Sequence, residues 1–429
     1  MSIYDIINSV VWNFFTILML YQILFVVIGL FKVKKYKPAK KDHEYAILIA
    51  GRNEESVIGQ LIDSINNQNY DMSKIKIFVC ADNCSPNDKT AQIAREKGAI
   101  VYERHDPTKI GKCYPLNLIL KNMVRDFPDY HPEGFFVFDA DNILDKNYIK
   151  EMNNAFDSGE KIITSYRASK NYDESIMAMG SSVGFIRDCR FLHGPRNLLN
   201  LSTFVSGTGF LISTEVFDYK QGWPYNTISE DTQLSCDKVV KNTRAAYCDD
   251  AIFYDEQPTT LKQTYKQRLR WQKGSYVVLS MFVGKLFLKL FTTLKFTFFD
   301  FIIYLSPIPL CSTSWALVNG LWAFIECIVK LIAGEPFFLT VGLLLLGLLK
   351  FFAILYLGFF VYGSLAVIKD WKRIKVSSKN KIISMLVYPL FMIALIPIPF
   401  ITLFKKVEWV PIKHQSTKKI EDLETISKQ

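Results

Sequence analysis

Residues 10–31 (VVWNFFTILMLYQILFVVIGLF) form one apolar run without a charge. A bilayer crossing takes about 20 such residues, so the run predicts a transmembrane helix. It is too long for a signal-peptide core, and no small-residue cleavage site follows it. Lys32, Lys34, Lys35, Lys37, Lys40 and Lys41 follow instead, and by the positive-inside rule that side is cytoplasmic. From residue 42 to about 260 charges are mixed and the chain reads as soluble. From Phe296 it is apolar again, in runs at about 296–333, 338–368 and 383–404. The first is long enough for two crossings, with Pro307 and Pro309 to kink or break it. Lys369–Lys381 and Lys405-Lys406 both read as cytoplasmic, which conflicts with a single crossing by 383–404. Either that run is re-entrant or one basic segment lies elsewhere. Lys350, Glu326 and Lys330 fall in or near these runs, where charges face a polar cavity or a partner.

Between the apolar ends, short apolar runs alternate with helical patterns. Tyr45–Ala50 (YAILIA), Ile75–Cys80 (IKIFVC), Ala99–Glu103 (AIVYE) and Phe135–Phe138 (FFVF) read as buried parallel strands. Helices are expected from the turn at Gly51–Glu55 to about Gln68, from about Asp88 to Lys97, and over Lys112–Val124 with Pro115 in its first turn. This alternation predicts a doubly wound sheet with right-handed crossovers. Ligands of such sheets bind beyond the carboxyl ends of the strands. That edge carries Arg52, Glu54, Asp82, Asp139 and Asp141. Any one of the acids could cap a helix, but three strands delivering carboxylates to one rim point to a site. Asp139-Ala140-Asp141 is the sharpest feature. Two carboxylates two apart at a strand end repel each other unless a cation lies between them, and they can share a hard metal ion with a diphosphate.

Fifty-one Lys+Arg against 41 Asp+Glu give a net charge of +10, which favours an anionic partner. The excess lies largely beside the apolar runs, so it requires no nucleic acid. Eight scattered cysteines make neither a zinc pattern nor a disulfide framework. Neither a P-loop nor a G-x-G-x-x-G is present, which argues against a kinase, an ATPase or a dehydrogenase.

An ordered set of motifs runs from Gly51 to about Gly274: Arg52-Asn53-Glu54; Asp82; Gly111-Lys112 with Leu116-Asn117; Asp139-Ala140-Asp141; Ser206-Gly207-Thr208-Gly209; Ser229-Glu230-Asp231; Glu256-Gln257-Pro258; and Gln267-Arg268-Leu269-Arg270-Trp271, a Q-x-x-R-W signature. In this order the chain resembles the membrane-integrated family two glycosyltransferases, the group of the cellulose, hyaluronan, chitin and poly-N-acetylglucosamine synthases. The resemblance implies an α/β GT-A-type, Rossmann-like cytosolic domain joined to a helical transmembrane bundle, and an inverting, metal-dependent transfer from a UDP-sugar. Carried over by position, Arg52, Glu54 and Asp82 would hold the nucleoside. Asp139 and Asp141 would bind the diphosphate through Mg²⁺ or Mn²⁺, with Lys112, Gln267 and Arg270 also on the donor. Ser206, Gly207, Thr208, Glu230 and Trp271 would shape the acceptor site, and Asp231 would be the general base. Alone, Ser229-Glu230-Asp231 would read as a helix start with acids in its first turn.

The implied organisation is an N-terminal span and basic segment (1–41), a cytosolic catalytic domain (42–259), interfacial amphipathic helices carrying Q-x-x-R-W (260–290), a membrane region (291–404) and a cytoplasmic tail (405–429) in a multi-pass plasma-membrane protein. Trp409, Pro411 and His414 in the tail would anchor it at the interface or cover the site. Trp315, Trp322, Tyr304 and Tyr356 would line a sugar conduit or simply pack. The first product expected is an exported β-linked polysaccharide; the alternative is a glycolipid, so the acceptor is a glycan or a lipid.

Overall fold

The computed structural model describes residues 3–407 together with Ser416, Lys418 and Asp422. Trp409, Pro411 and His414 lie outside the described residues. Among these residues eight strands form one sheet: β1 (Tyr45–Gly51), β2 (Ile75–Asp82), β3 (Ile100–Arg104), β4 (Gly134–Asp139), β5 (Ile143–Leu144), β6 (Ile162–Ser169), β7 (Phe210–Ser213) and β8 (Ala245–Asp255). Their order is β3-β2-β1-β4-β7-β6-β8-β5. β1 is buried along nearly its whole length. Ala46 and Leu48 pack with Phe78, Phe135 and Val137 on one face, while Tyr45, Ile47 and Ile49 pack with Val79, Phe136 and Phe138 on the other. With both faces covered, the strand reads as an uninterrupted apolar run.

The first half, β3-β2-β1-β4, is parallel, as expected. The second half is mixed. β7 runs antiparallel to both β4 and β6, whereas β6 and β8 pair in parallel. The reversal decides the site. The carboxyl ends of β1, β2, β4, β6 and β8 share one edge, and antiparallel β7 brings its amino end there, with Ser206–Gly209 just before it. Helix Cys113–Asp126 has Pro115 in its first turn, where no intrahelical donor is missed.

Among the described residues five helices are long and apolar enough to cross a membrane: Ile3–Phe31, Leu261–Thr293, Leu310–Ile332, Phe337–Lys369 and Ser378–Phe404. Two of the expected segments take definite form here. Residues 260–290, read as interfacial helices, lie in a single 33-residue helix, Leu261–Thr293, part of which is apolar enough to span. The 296–333 run is a short helix, Phe296–Leu305, and then a long one, Ile308–Ile332, broken beside Pro307. The last run packs against the sheet domain. Helix Ser378–Leu395 packs on helix Ile176–Asp188. Asn380 donates to Asp173 (2.8 Å), Tyr172 and Ser384 share a hydrogen bond (2.7 Å), and Arg187 donates to the Tyr388 hydroxyl (2.9 Å). Beyond it, Lys273 Nζ reaches the Thr402 carbonyl (3.3 Å). Both ends of the run therefore touch the sheet domain or the helix that enters it. Of the four aromatics expected along a conduit, Trp322 stacks on Tyr4, Trp315 donates to Asn8 and Tyr356 to the Leu386 carbonyl, all between helices; only Tyr304 faces the cavity described below. Glu326 and Lys330 pair with each other one helical turn apart.

Buried ion pairs fasten these helices to the sheet domain. Arg196 and Asp300 are fully buried and bidentate (2.6 and 2.7 Å), and Tyr21 of the first helix donates to Asp300 (2.9 Å). Arg190 holds Asp370 and Asp249, and Asp249 also takes Arg373 (3.0 Å). Helix Leu261–Thr293 approaches the chain at Ser229 so closely that a Cβ on Gly274 would stand 1.9 Å from Ser229 Oγ. Two outcomes follow for the purified protein in detergent, read by thermal denaturation. Asp300→Ala strands a buried guanidinium and should cost about 3–5 kcal/mol. Gly274→Ala overpacks the Ser229 contact and should cost about 1–3 kcal/mol.

Candidate active site

The strand ends and the first turns of the Leu261–Thr293 helix enclose a cavity of about 390 Å³, within the usual ~300–1,000 Å³ of a small-ligand site. Arg52, Glu54, Asp82, Lys112, Asp139, Asp141, Ser206, Gly207, Glu230, Asp231, Gln267, Arg270 and Trp271 all line it. Thr208 does not. It is buried behind the wall, where its hydroxyl accepts the Asp139 N–H (2.8 Å) and donates to Asn142. A side chain so engaged has no face to offer an acceptor, which corrects that expectation.

Acids crowd the rim, and cations stand between them. Asp82, at the end of β2, pairs with Arg104 (2.5 Å). Asp139, at the end of β4, pairs with Lys112, whose ammonium also donates to the Gly207 carbonyl (2.8 Å). Asp255, at the end of β8, is buried and bound by Arg167, which also donates to the Ser206 carbonyl (3.1 Å). Asp141 accepts the Glu256 N–H (3.1 Å) and the Asn142 side chain (3.4 Å). Asn142 also reaches Asp255 (3.2 Å), so three acids and two loops share one network.

Glu230 and Asp231 open helix Glu230–Val240. The helix-start reading of this motif therefore holds together with its place in the cavity wall, since an N-terminus tolerates acids in its first turn. Gly207, at φ +74, brings its backbone against Asp231; a Cβ there would lie 3.4 Å from Asp231 Oδ2. Burial and the Asp231 carboxylate push Glu230 up to about 7. Burial raises Asp231 as well, while the Thr232 N–H, Lys112 and Arg270 oppose the rise. The pair thus holds a proton at slightly acid pH. Gln267, Arg270 and Trp271 recur at i, i+3 and i+4, which places them on one face of their helix. Trp271 packs edge-on to Phe185 at 6.0 Å. Among the described residues, Arg52 Nε, Thr227 Oγ1, Gln267 Oε1 and Arg268 Nε, all from residues that line the cavity, are buried without a hydrogen-bond partner.

Asp139 and Asp141 offer hard oxygen donors suited to Mg²⁺ or Mn²⁺. Among the described residues no three His, Cys, Asp or Glu side chains converge into a closed metal cage. The two carboxylates fit an ion that keeps positions for phosphate oxygens and water.

Sequence reasoning missed Arg104, Arg167, Asp188 and His193, which also border the cavity or hold its acids. His193 is buried, accepts or donates to Thr203 (2.6 Å), and is pushed down to about 4 by burial, so it is neutral. Asp188 ends helix Ile176–Asp188, and His193 arrives on the wide helical turn that follows it, Cys189–His193, which no sequence pattern announces. Asp255 carried a signal, because it ends a strand as Asp82 and Asp139 do.

The family model "Glycosyltransferase like family 2" matches residues 43–274. A probable glycosyltransferase of Bacillus subtilis is 25% identical over 255 residues, 56% of this chain and 57% of its own length. A beta-monoglucosyldiacylglycerol synthase of Trichormus variabilis is 27% identical over 246 residues, 54% of this chain and 48% of its own. The chain thus spans about half the length of the curated relatives it matches. A mannosyltransferase of Pyrobaculum calidifontis, solved with GDP-mannose and Mn²⁺, shares the fold at a TM-score of 0.57 and 13% identity, over 92% of this chain and 99% of that one. The sheet is accordingly of the GT-A, Rossmann-like type, with an N-terminal apolar helix and a C-terminal helical region. The family match takes in more than half of the chain and every cavity residue from Arg52 to Trp271, and the chain belongs to the family 2 glycosyltransferases.

Proposed function

We propose that this chain is a multi-pass plasma-membrane enzyme whose cytoplasmic domain transfers a hexosyl or N-acetylhexosaminyl group, with inversion, from a UDP-sugar to a lipid acceptor. The supporting observation is the convergence of Asp139, Asp141, Asp231, Arg270 and Trp271 on one cavity against helices apolar enough to span a bilayer. Lys32–Lys41, following the first such helix, favour the cytoplasmic side for this domain. Glucose and N-acetylglucosamine are the first sugars to test.

In this reading Arg52, Glu54 and Asp82 hold the nucleoside; burial raises the Asp82 carboxyl, and Arg104 opposes that rise and orients it. Asp139 and Asp141 hold Mg²⁺ or Mn²⁺, which supplies charge neutralisation to the diphosphate when bound. Lys112 fixes Asp139 against the Gly207 loop, while Gln267 and Arg270 meet the donor phosphates from the opposite wall. Ser206, Gly207, Glu230 and Trp271 shape the acceptor side, Trp271 offering a flat face. An acceptor hydroxyl is a poor nucleophile near neutral pH. Asp231 takes its proton as the new bond to the anomeric carbon forms and the bond to the phosphate oxygen breaks. UDP departs with the electron pair, and attack from the face opposite it converts an α-linked donor into a β-linked product.

A lipid acceptor is favoured by the named activity of the Trichormus relative and by the cavity's extension to Leu192, Phe204 and Tyr304 beside the apolar helices. An exported β-linked polysaccharide is the second reading, favoured by the Q-x-x-R-W residues on the cavity wall. A UDP-release screen with several UDP-sugars and either metal, followed by product sizing after lipid extraction and glycosidase digestion, separates the two. Asp231→Asn should lower transfer about 10²–10⁴-fold; full retention of UDP release would remove Asp231 as the base. Because Glu230 is pushed up to about 7, the pair gains a proton as pH falls through that value. The pH profile of kcat/KM should therefore decline on its acid side near pH 7. Glu230→Gln removes the repelling charge and should shift that limb to lower pH; a limb that stays in place would leave Glu230 no part in it.

A further inference from the structure

The cavity's cations are not alike. Arg104, Lys112 and Arg167 are each matched to a carboxylate. Arg268 is not. Its Nε is buried without a hydrogen-bond partner, and among the described residues it forms no ion pair. The nearby acid Asp188 is taken by Arg187. The guanidinium instead lies among three aromatic rings, 4.6 Å from the centre of Trp271, 5.7 Å from Phe185 and 5.8 Å from Phe391. Ring faces attract a cation, yet they leave its N–H donors unfilled. A partly buried guanidinium whose one nearby acid is already bound by another arginine is poorly compensated, and its planar fork of donors matches the oxygens of a phosphate.

The position says which anion. Arg268 is two residues from Arg270, so the two side chains leave the helix in nearly opposite directions. Arg270 acts on Glu230 and Asp231. Arg268 points to the junction of helices Leu261–Thr293, Ile176–Asp188 and Ser378–Leu395, where the sheet domain meets the apolar helices. The donor diphosphate already has Asp139, Asp141, Lys112 and Arg270 on its side of the cavity, and a second anion at Arg268 therefore belongs to the other substrate. We propose that Arg268 receives a phosphate group carried by the acceptor, so that the acceptor is a phosphate-bearing lipid and not a neutral one. This rests on the lipid-acceptor reading above.

The test is equilibrium binding without turnover. The purified full-length protein in dodecyl maltoside is titrated with dihexanoyl phosphatidic acid, with dihexanoylglycerol as its neutral counterpart, and with inorganic phosphate. The wild-type protein should bind phosphatidic acid at least ten times more tightly than either of the other two. Arg268→Gln, checked for folding by monodisperse elution, should lose the preference over dihexanoylglycerol, and Arg268→Lys, which restores a charge but not the fork, should keep part of it. Equal wild-type affinity for the two lipids, or a preference that survives in Arg268→Gln, overturns the proposal. Inorganic phosphate binding as tightly as phosphatidic acid overturns the lipid source, since it marks a soluble anion site. Failure of the enzyme reading shows separately, as absence of UDP release from every UDP-sugar, and does not depend on which lipid binds.

Discussion

Carboxylates gathered at one edge of a sheet are stable together only when cations stand between them. Asp82, Asp139 and Asp255 each end a strand, and each meets a basic side chain from a different element: Arg104 from the next strand, Lys112 from a helix N-terminus, Arg167 from β6. These cations do more than neutralise. Lys112 and Arg167 also donate to the carbonyls of Gly207 and Ser206, which sets the loop that abuts Asp231. The wall opposite the strands is therefore positioned by the charges of the wall beneath it.

The same pairing logic joins the sheet to the apolar helices. Arg196–Asp300 and the Arg190–Asp370–Asp249–Arg373 cluster are buried at that junction. Buried pairs of this kind contribute little net stability against apolar replacements, but losing one partner is expensive. They specify where the helices dock, and so where the Leu261–Thr293 helix delivers Gln267, Arg270 and Trp271. Glycine at 274 allows the closest approach of that helix to Ser229. Rim acids and helix residues thus form one enclosed site although they stand as far as 219 positions apart in the chain, from Arg52 to Trp271.

Much of the parallel half-sheet was legible because a strand buried on both faces must be apolar throughout, and Tyr45–Ala50 and Phe135–Phe138 are. The rim acids were legible because each follows such a run at once. The reversal of β7 was not, since Phe210–Ser213 is four residues long and a short apolar strand carries no sign of its direction. Thr208 was misread for a related reason: its motif neighbours Ser206 and Gly207 face the cavity, and only the backbone path turns its hydroxyl toward Asn142. Helix Leu261–Thr293 was read as shorter interfacial pieces because its first turns are charged, while its apolar remainder continues the same helix without a break.

Local order along the chain determined the alternation of strands and helices, the acids at the strand ends, the motif series and the apolar segments, because each depends on neighbours within a few residues. Tertiary structure alone decided which cation serves which acid, which guanidinium is left among aromatic rings, and how a membrane-grade run with basic residues at both ends packs against the sheet domain. Those outcomes depend on contacts between residues far apart in sequence, and a pattern read one segment at a time holds no record of them.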